Sequence, residues 1–245
     1  MTNIVGFSRG GTHLFWCFIS AHSKLINPKF EINDLVGSKE IGFSRKIILE
    51  ICSLLRIHST LFNDISEETV QKAVCSWYPN LIFKLLKRHD PMKYFFSTSL
   101  NKNKTIFIVK EKEEQIRSWM GRGASYKVAE KAYEEHLKNW LNYSAKFDSL
   151  FVRYRDFCAN PVLVSKCVWE WLGLPKEEFP KKVCIKPKDY KQRKIGMSAH
   201  SPERKWKYVT TESLAKSLKL DGSDNKIATS SNSNYLKIQF LNVGI

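Results

Sequence analysis

Residues 4–13 read IVGFSRGGTH, and this stretch decides how the fold of the whole chain is interpreted. Two apolar residues lead into a glycine-rich turn that contains Arg9, and an apolar run resumes behind Thr12. This pattern predicts a short buried strand over residues 2–7, a turn, and a buried helix over Thr12–His22. A glycine-rich turn before a helix aims backbone N–H groups at one point, where the helix dipole also favours negative charge. The stretch therefore predicts a binding site for a phosphate-like anion.

The remainder of the chain alternates short apolar runs with segments of helical periodicity. The apolar runs predict buried strands over residues 80–87, 104–109 and 150–154. The periodic segments predict helices over residues 44–57, 66–76, 127–146 and 161–172. Strands that alternate with helices indicate a parallel sheet covered on both faces. We therefore expect an α/β fold, a three-layer sandwich with a central, mostly parallel sheet flanked by helices, similar to the P-loop nucleoside-triphosphate hydrolases.

Chain length and cysteine pattern limit the class of protein. A chain of 245 residues can bury one core of normal size, so we expect a single domain over residues 1–245. The six cysteines include no C-x-x-C pair, which predicts neither a zinc site nor a disulfide framework. No apolar run is long enough to cross a bilayer and no signal sequence is visible. We therefore expect a cytoplasmic protein with no membrane span.

The charge balance is strongly basic. The chain carries 40 Lys and Arg against 24 Asp and Glu, a formal net charge of +16. Such an excess attracts polyanions, so nucleic acid, an anionic nucleotide, an acidic glycan and an anionic membrane are candidate partners. The basic residues are dense between Lys176 and Lys207, where a solvated, flexible segment is the alternative interpretation. The sequence does not predict an oligomeric state.

The spacing of the glycines distinguishes this turn from the phosphate loop of kinases. An ATP-type P-loop reads G-x-x-x-x-G-K-[ST]. Gly6 and Gly11 keep that spacing, but Thr12 stands where the lysine belongs, and Arg9 is the only cation within the turn. The turn therefore has the main-chain cradle of a nucleotide loop without the lysine of a kinase.

Four motifs, in the right order, resemble those of the sulfotransferase family. The first, G-F-S-R-G-G-T-H-L-F-W at residues 6–16, resembles the family's 5′-phosphosulfate loop, which typically reads P-[KR]-S-G-T before an apolar helix. Ser8 replaces the usual proline and Gly10 replaces the usual serine. The resemblance covers the chain from residue 4 to about residue 210, and residues 211–245 have no assigned counterpart.

The other three motifs follow downstream. Residues 104–118 resemble the family's second signature, a strand that ends in arginine with a serine eight positions later, and Lys110 and Ser118 have that spacing. Residues 151–175 contain F-V-R-Y-R-D-F and W-E-W-L-G-L-P, which resemble the family's R-Y-E-D-L stretch and its succeeding helix. Residues 192–208 contain Q-R-K-I-G and W-K-Y, which are similar to the closing R-K-G and W-K element.

The resemblance implies a transferase that uses 3′-phosphoadenosine 5′-phosphosulfate as donor, releases 3′-phosphoadenosine 5′-phosphate, and requires no metal. Transfer to a hydroxyl acceptor would proceed by in-line attack on sulfur, with Arg9 stabilising charge on the departing bridging oxygen. The 3′-phosphate is expected at Lys110 and Ser118, and Tyr154 matches a tyrosine that contacts adenine in some relatives. The implied donor-binding residues are Ser8, Arg9, Gly10, Gly11, Thr12, His13, Lys110, Ser118, Tyr154, Arg193 and Lys194.

Two residues compete for the role of the base that removes the acceptor's proton. Glu31 follows the loop helix, close to where sulfotransferases of the tyrosylprotein type carry a glutamate base. His89, in K-R-H-D-P, resembles the histidine of the K-T-H-L-P motif of the cytosolic type. A histidine titrates nearest neutrality, whereas a glutamate needs its pKa raised by burial to be an effective base. His89 is therefore preferred, and Glu31 stays open.

Two other functions compete with this interpretation. A P-loop phosphotransferase, or kinase, would need magnesium ligands and a loop lysine, and a non-catalytic basic nucleic-acid-binding protein would need a recognition helix or interleaved aromatics. The sequence offers neither set clearly, and nucleic acid is not the expected partner. The basic stretch 176–207 favours an acidic glycan as the hydroxyl-bearing acceptor. The acidic run that follows Lys110 brings carboxylates near the expected 3′-phosphate site, unless they point into water.

Overall fold

The structure is a computed structural model that describes residues 2–27, 68, 70–77, 104–185 and 206–223. Within these ranges the chain forms six strands and six helices. In chain order they are β1 (Thr2–Phe7), α1 (Thr12–Ile19), β2 (Val70–Cys75), β3 (Lys104–Val109), α2 (Lys112–Met120), α3 (Tyr126–Ser144), β4 (Ser149–Arg153), α4 (Tyr154–Ala159), α5 (Pro161–Leu172), β5 (Lys182–Ile185), β6 (Lys207–Thr210) and α6 (Thr211–Ser223).

Four of the strands form one parallel sheet in the order β2-β1-β3-β4. β1 pairs with β2 on one side and with β3 on the other, so that Ile4 lies between Lys72 and Ile106. Because the strands are parallel, their carboxyl ends meet at one edge, which is where α/β sheets bind ligands. The residues that follow β1, β3 and β4 therefore lie along a common edge. β5 and β6 form a separate antiparallel pair.

Both faces of the sheet are covered by helices. Successive strand residues point to opposite faces, so Ile4 and Ile106 share a core with side chains of α1 and α5. Val5 and Phe107 share the other core with side chains of α2 and α3. Each fully buried large apolar side chain contributes about 1.5–3 kcal/mol to stability. For the described part of the chain, the predicted α/β sandwich with a central parallel sheet is confirmed.

The helix predicted over residues 66–76 is wrong, because Val70–Cys75 form strand β2. Acidic residues before this segment are typical of a first helical turn, but all six residues of β2 pair with β1. Pairing with a distant strand and burial of Val70, Lys72 and Cys75 outweigh the local propensity. The predicted helix over 44–57 and the predicted strand over 80–87 lie outside the described residues.

Helix α5 forms where its start and stop signals predict it. The Asn160 side chain accepts a hydrogen bond of 3.1 Å from the Leu163 N–H, and Pro161 opens the helix, where its missing N–H costs nothing. Gly173 ends the helix with a left-handed backbone, φ 80°. Other predicted bounds differ from the structure. Helix α1 ends at Ile19 instead of His22, and Tyr154 begins helix α4 instead of ending a strand.

None of the helices in the described ranges is both long enough and apolar enough to cross a bilayer.

Candidate anion-binding site

The turn after β1 is closed by main-chain hydrogen bonds. The Ser8 N–H donates to the Cys75 carbonyl oxygen at 2.6 Å, which extends the pairing of β1 and β2 beyond the strand. The Gly10 N–H then donates to the Phe7 carbonyl oxygen at 2.9 Å and reverses the chain. These contacts fix the position at which α1 begins relative to the edge of the sheet.

Two residues of this turn have left-handed backbones. Arg9 has φ 68° and is the only residue other than glycine with positive φ in the described ranges. Such a conformation costs an ordinary residue about 1–2 kcal/mol and concentrates at functional sites. Gly11 has φ 78°, and a Cβ atom added to it would overlap the ring of Tyr154. Gly11 is therefore required for both its backbone angle and its lack of a side chain.

Gly6 and Thr12 fit together at the base of the turn. A Cβ atom on Gly6 would overlap the Oγ1 of Thr12 and would lie 2.7 Å from Cγ2 of Ile108. The Thr12 hydroxyl donates to the Phe7 carbonyl oxygen at 3.0 Å, so its side chain is folded back against β1. Thr12, in the position where a kinase has its lysine, therefore stabilises the turn through its contact with β1.

The start of α1 is suited to an anion. Its N-cap residue, Gly11, has no side chain to cap the first N–H groups, and its first turn contains no acidic residue. The positive end of the helix dipole and the orphan N–H groups of a first turn both attract negative charge. Arg9 is exposed beside this helix start.

Helix α2 holds the turn from the opposite face of the sheet. The Nε2 of Gln115 donates to the Ser8 carbonyl oxygen at 2.9 Å, and the Nε1 of Trp119 lies 2.9 Å from both the carbonyl oxygen and the hydroxyl of Ser8. Both side chains are fully buried. The sequence analysis assigned no function to Gln115 or to Trp119. Their spacing of four residues, which puts both on one helix face, was the available signal.

The N-terminus of α2 is itself anchored to α3. The Lys112 ammonium donates to Glu134 at 2.7 Å and to Glu130 at 2.9 Å. The hydrogen bond to Glu134, followed by that to Glu130, raises the pKa of Lys112 above its ordinary value and outweighs the opposing effect of burial. The helix that holds Ser8 is therefore tied to the longest helix of the described ranges.

Tyr154 connects the turn to Lys110. Its ring is buried and packs against Gly11, while the Lys110 ammonium lies 5.1 Å from the ring centroid. Lys110 also faces Glu114, at 3.9 Å between Nζ and Oε2. Ser118 lies half-buried on α2. The structure therefore brings three predicted donor-binding residues, Gly11, Lys110 and Tyr154, to one edge of the sheet.

His13 contacts a buried lysine, Lys72, that the sequence analysis did not identify. The Nζ of Lys72 lies 3.2 Å from the Nδ1 of His13, and Lys72 is fully buried. The Nε2 of the same ring lies 3.7 Å from the Sγ of Cys17. The rings of Trp16 and Trp206 lie 5.9 Å from the His13 ring. Lys72 was missed because its strand was taken for a helix.

Four predicted site residues, His89, Glu31, Arg193 and Lys194, lie outside the described residues. Their roles stay predictions. Within the described ranges, no group of three or more His, Cys, Asp or Glu side chains is arranged to hold a metal ion.

Two solved structures resemble the chain. The sulfotransferase domain from the curacin biosynthetic pathway is 17% identical, with a TM-score of 0.47 over 72% of this chain and 75% of that one. The sulfotransferase from Alicyclobacillus acidocaldarius is 14% identical, with a TM-score of 0.47 over 73% of this chain and 83% of that one. No protein-family model and no curated protein matches the chain. Similarity at this level carries no argument about function, which depends on the motifs and the site geometry.

Proposed function

We propose that the chain is a sulfotransferase that moves a sulfuryl group from 3′-phosphoadenosine 5′-phosphosulfate to a hydroxyl acceptor by in-line displacement. The observation that carries this proposal is the turn between β1 and α1. It leads through the left-handed residues Arg9 and Gly11 into a helix start whose first N–H groups would face the anion, with Arg9 beside it and Thr12 in place of the kinase lysine. The motifs that resemble the sulfotransferase family add to it.

The residues of the turn fit the phosphosulfate end of the donor. A Cβ atom on Gly10 would lie 3.0 Å from the Phe7 carbonyl oxygen and 3.1 Å from Oε1 of Gln115, so a side chain there would push its neighbours apart by a few tenths of an ångström. Oε1 of Gln115 is buried and has no hydrogen-bond partner in the described part of the chain. Main-chain N–H groups, the dipole of α1 and Arg9 would together hold the anion.

The second charged end of the donor is assigned to Lys110, Ser118 and Tyr154. Lys110 provides a charge-assisted contact for the 3′-phosphate, and the hydroxyl of Ser118 adds direction. Tyr154, whose buried ring contacts both Gly11 and Lys110, is the proposed adenine contact that the resemblance implies. Arg193 and Lys194 are proposed as further donor contacts from the fourth motif.

The chemistry requires stabilisation of a leaving group and removal of a proton. The bound donor supplies the sulfuryl group, which gains a bond to the acceptor oxygen as sulfur loses its bond to the bridging oxygen of the nucleotide. Arg9 and the N–H groups of the turn would stabilise the charge that develops on that oxygen. The acceptor's proton would pass to His89 or to Glu31.

The acceptor is proposed to be a hydroxyl on an acidic molecule such as a glycan. The net charge of +16 and the basic stretch 176–207 favour an anionic partner. A cytoplasmic location belongs to the same proposal. An acceptor screen with labelled donor, which includes acidic glycans, neutral sugars, phenols and simple alcohols, tests this choice.

Ligand-dependent thermal stability tests the donor assignment. We expect 3′-phosphoadenosine 5′-phosphate to raise Tm by about 5–10 °C at a concentration of about 100 Kd, because a ligand that binds the native state stabilises it. Stabilisation by ATP with magnesium alone would favour the phosphotransferase and overturn the proposal. A response only to duplex DNA, abolished by moderate salt, would favour a nucleic-acid-binding protein.

A matched pair of variants locates the response in the structure. Arg9→Gly removes the guanidinium and keeps a backbone that accepts positive φ, whereas Arg122→Ala removes an exposed arginine from the turn after α2. We expect Arg9→Gly to reduce the Tm rise and Arg122→Ala to leave it unchanged. Equal responses in both variants would show that binding depends on overall charge and not on this turn.

A further inference from the structure

Glu114 opposes the cation that is assigned to the donor's 3′-phosphate. Lys110 follows β3, and Glu114 lies one helical turn later, near the start of α2. Their charged groups are 3.9 Å apart, and the side chains are only 14% and 16% exposed. Water and salt screen such a half-enclosed pair less than an exposed surface pair. The Lys110 charge is therefore partly compensated before any ligand arrives.

An anion that contacts Lys110 also meets Glu114. A phosphate oxygen within hydrogen-bond reach of the Lys110 ammonium would lie within roughly 7 Å of the Glu114 carboxylate, given a contact of about 2.9 Å. Two negative groups at that separation repel each other. The ring of Tyr154, whose centroid lies 5.1 Å from the Lys110 ammonium, further limits the space around it. A bound phosphate therefore either separates Glu114 from Lys110, which loses part of the attraction between them, or is repelled by the Glu114 carboxylate.

The 5′ side of the site is formed by the start of α1, whose first turn contains no acidic residue. A carboxylate beside Lys110 should therefore weaken binding of the 3′-phosphate end of the nucleotide more than binding of the 5′ end.

We propose that Glu114 is a specificity-determining residue that reduces the preference of the site for a nucleotide with a 3′-phosphate over one without it. This inference rests on the proposed function, which puts the 3′-phosphate at Lys110. Its consequence is a faster release of 3′-phosphoadenosine 5′-phosphate after transfer, because the product keeps both of its phosphate groups. Lys110, in the family's arginine position, lacks the bidentate guanidinium of arginine and should also bind the 3′-phosphate less tightly.

The test compares two nucleotides that differ only in the 3′-phosphate. Binding of 3′-phosphoadenosine 5′-phosphate and of adenosine 5′-monophosphate is measured by calorimetry at one fixed ionic strength. The proteins are wild type, Glu114→Gln, and the control Glu113→Gln, which removes a neighbouring exposed carboxylate from the same helix. Tm without ligand shows whether each variant is folded.

We expect Glu114→Gln to tighten binding of the 3′,5′-bisphosphate about fivefold to tenfold, as removal of one nearby charge predicts. Binding of the monophosphate should change little in either variant, and Glu113→Gln should resemble wild type with both nucleotides. In a Lys110→Gln background the effect of Glu114→Gln should shrink, because the two residues act through one ion pair.

The outcomes separate this inference from the proposed function. Unchanged or weaker binding of the bisphosphate to folded Glu114→Gln overturns the role of Glu114, while bisphosphate binding that still depends on Arg9 leaves the sulfotransferase proposal standing. An equal gain for both nucleotides also overturns it, because the effect would then be general. If no variant binds the bisphosphate at all, the proposed function and the inference both fall.

Discussion

The turn Ser8–Thr12 and the pair Lys110–Glu114 both contact the Tyr154 ring, through Gly11 and Lys110, yet they are built in different ways. The turn is held by main-chain bonds, by two left-handed residues and by hydrogen bonds from α2. The pair consists of two side chains whose charges face each other. A cradle of backbone groups depends on shape, whereas an ion pair depends on charge. A substitution that changes the shape of the turn should therefore abolish nucleotide binding, whereas a substitution in the ion pair should change the affinity gradually.

The largest expected effect comes from Gly11→Ala, which attacks the shape of the turn. The new methyl group would overlap the Tyr154 ring and occupy a left-handed backbone. We expect a loss of about 2–4 kcal/mol in the free energy of unfolding, from strain and overpacking together. Binding of 3′-phosphoadenosine 5′-phosphate should be lost. Denaturant unfolding and calorimetry measure the two effects.

Gly123→Ala is the matched control for this prediction. Gly123 has φ 94°, but apart from its chain neighbours no atom of the described residues lies within 4 Å of the position its Cβ would take. Its substitution should cost only the backbone term, about 1 kcal/mol, and leave nucleotide binding intact. Equal effects of the two substitutions would contradict the packing of Gly11 against Tyr154.

Arg9→Gly should produce the next largest effect, on catalysis more than on binding. We expect kcat for sulfuryl transfer to fall about 100-fold to 1,000-fold, as the loss of one preorganised donor does in other transfers. The affinity for the product nucleotide should fall less, because the main-chain N–H groups remain. Single-turnover rates and product binding distinguish the two. A normal kcat in Arg9→Gly would remove Arg9 from the reaction.

Trp119→Phe tests the support that the turn receives from helix α2. It removes the indole N–H that bonds both Ser8 oxygens, and we expect a loss of about 1–3 kcal/mol in stability together with weaker nucleotide binding. Trp140→Phe is the control, because the buried Trp140 N–H has no partner in the described part of the chain. The loss of stability in Trp140→Phe should reflect only the poorer packing of the smaller ring. A Trp119→Phe protein that binds nucleotide like Trp140→Phe would show that Ser8 needs no support.

The smallest effect concerns Glu177, which lies away from both regions. Burial raises the pKa of Glu177, but hydrogen bonds from the Ser23 hydroxyl and N–H, with nearby His22, outweigh it and lower the pKa below its ordinary value. A carboxyl with a lowered pKa stabilises the fold above its unfolded pKa, and this contribution is lost as the pH falls through the folded pKa. Glu177→Gln should therefore slightly flatten the acid limb of a Tm–pH profile. A change in nucleotide binding would be unexpected.

Local sequence was sufficient for the parts of the site that a short segment determines by itself. The order strand, turn and helix around Gly11 follows from glycine spacing and apolar runs, and the structure has it. Strand β2 was missed, because its identity depends on pairing with β1 and not on its own residues. Lys72 was missed with it. The bonds of Gln115 and Trp119 to Ser8 join residues more than 100 positions apart, a distance over which periodicity gives no information.

Helix α2 carries the side chains that hold Ser8 and also the carboxylate that faces Lys110. Because a helix is stiff along its length, a small slide of α2 along its axis would displace both regions in the same step. Lys112, at its first turn, resists such a slide through Glu130 and Glu134. The two ends of the candidate site therefore move together with α2, and substitutions of Glu130 or Glu134 on α3 can affect both ends without contacting either.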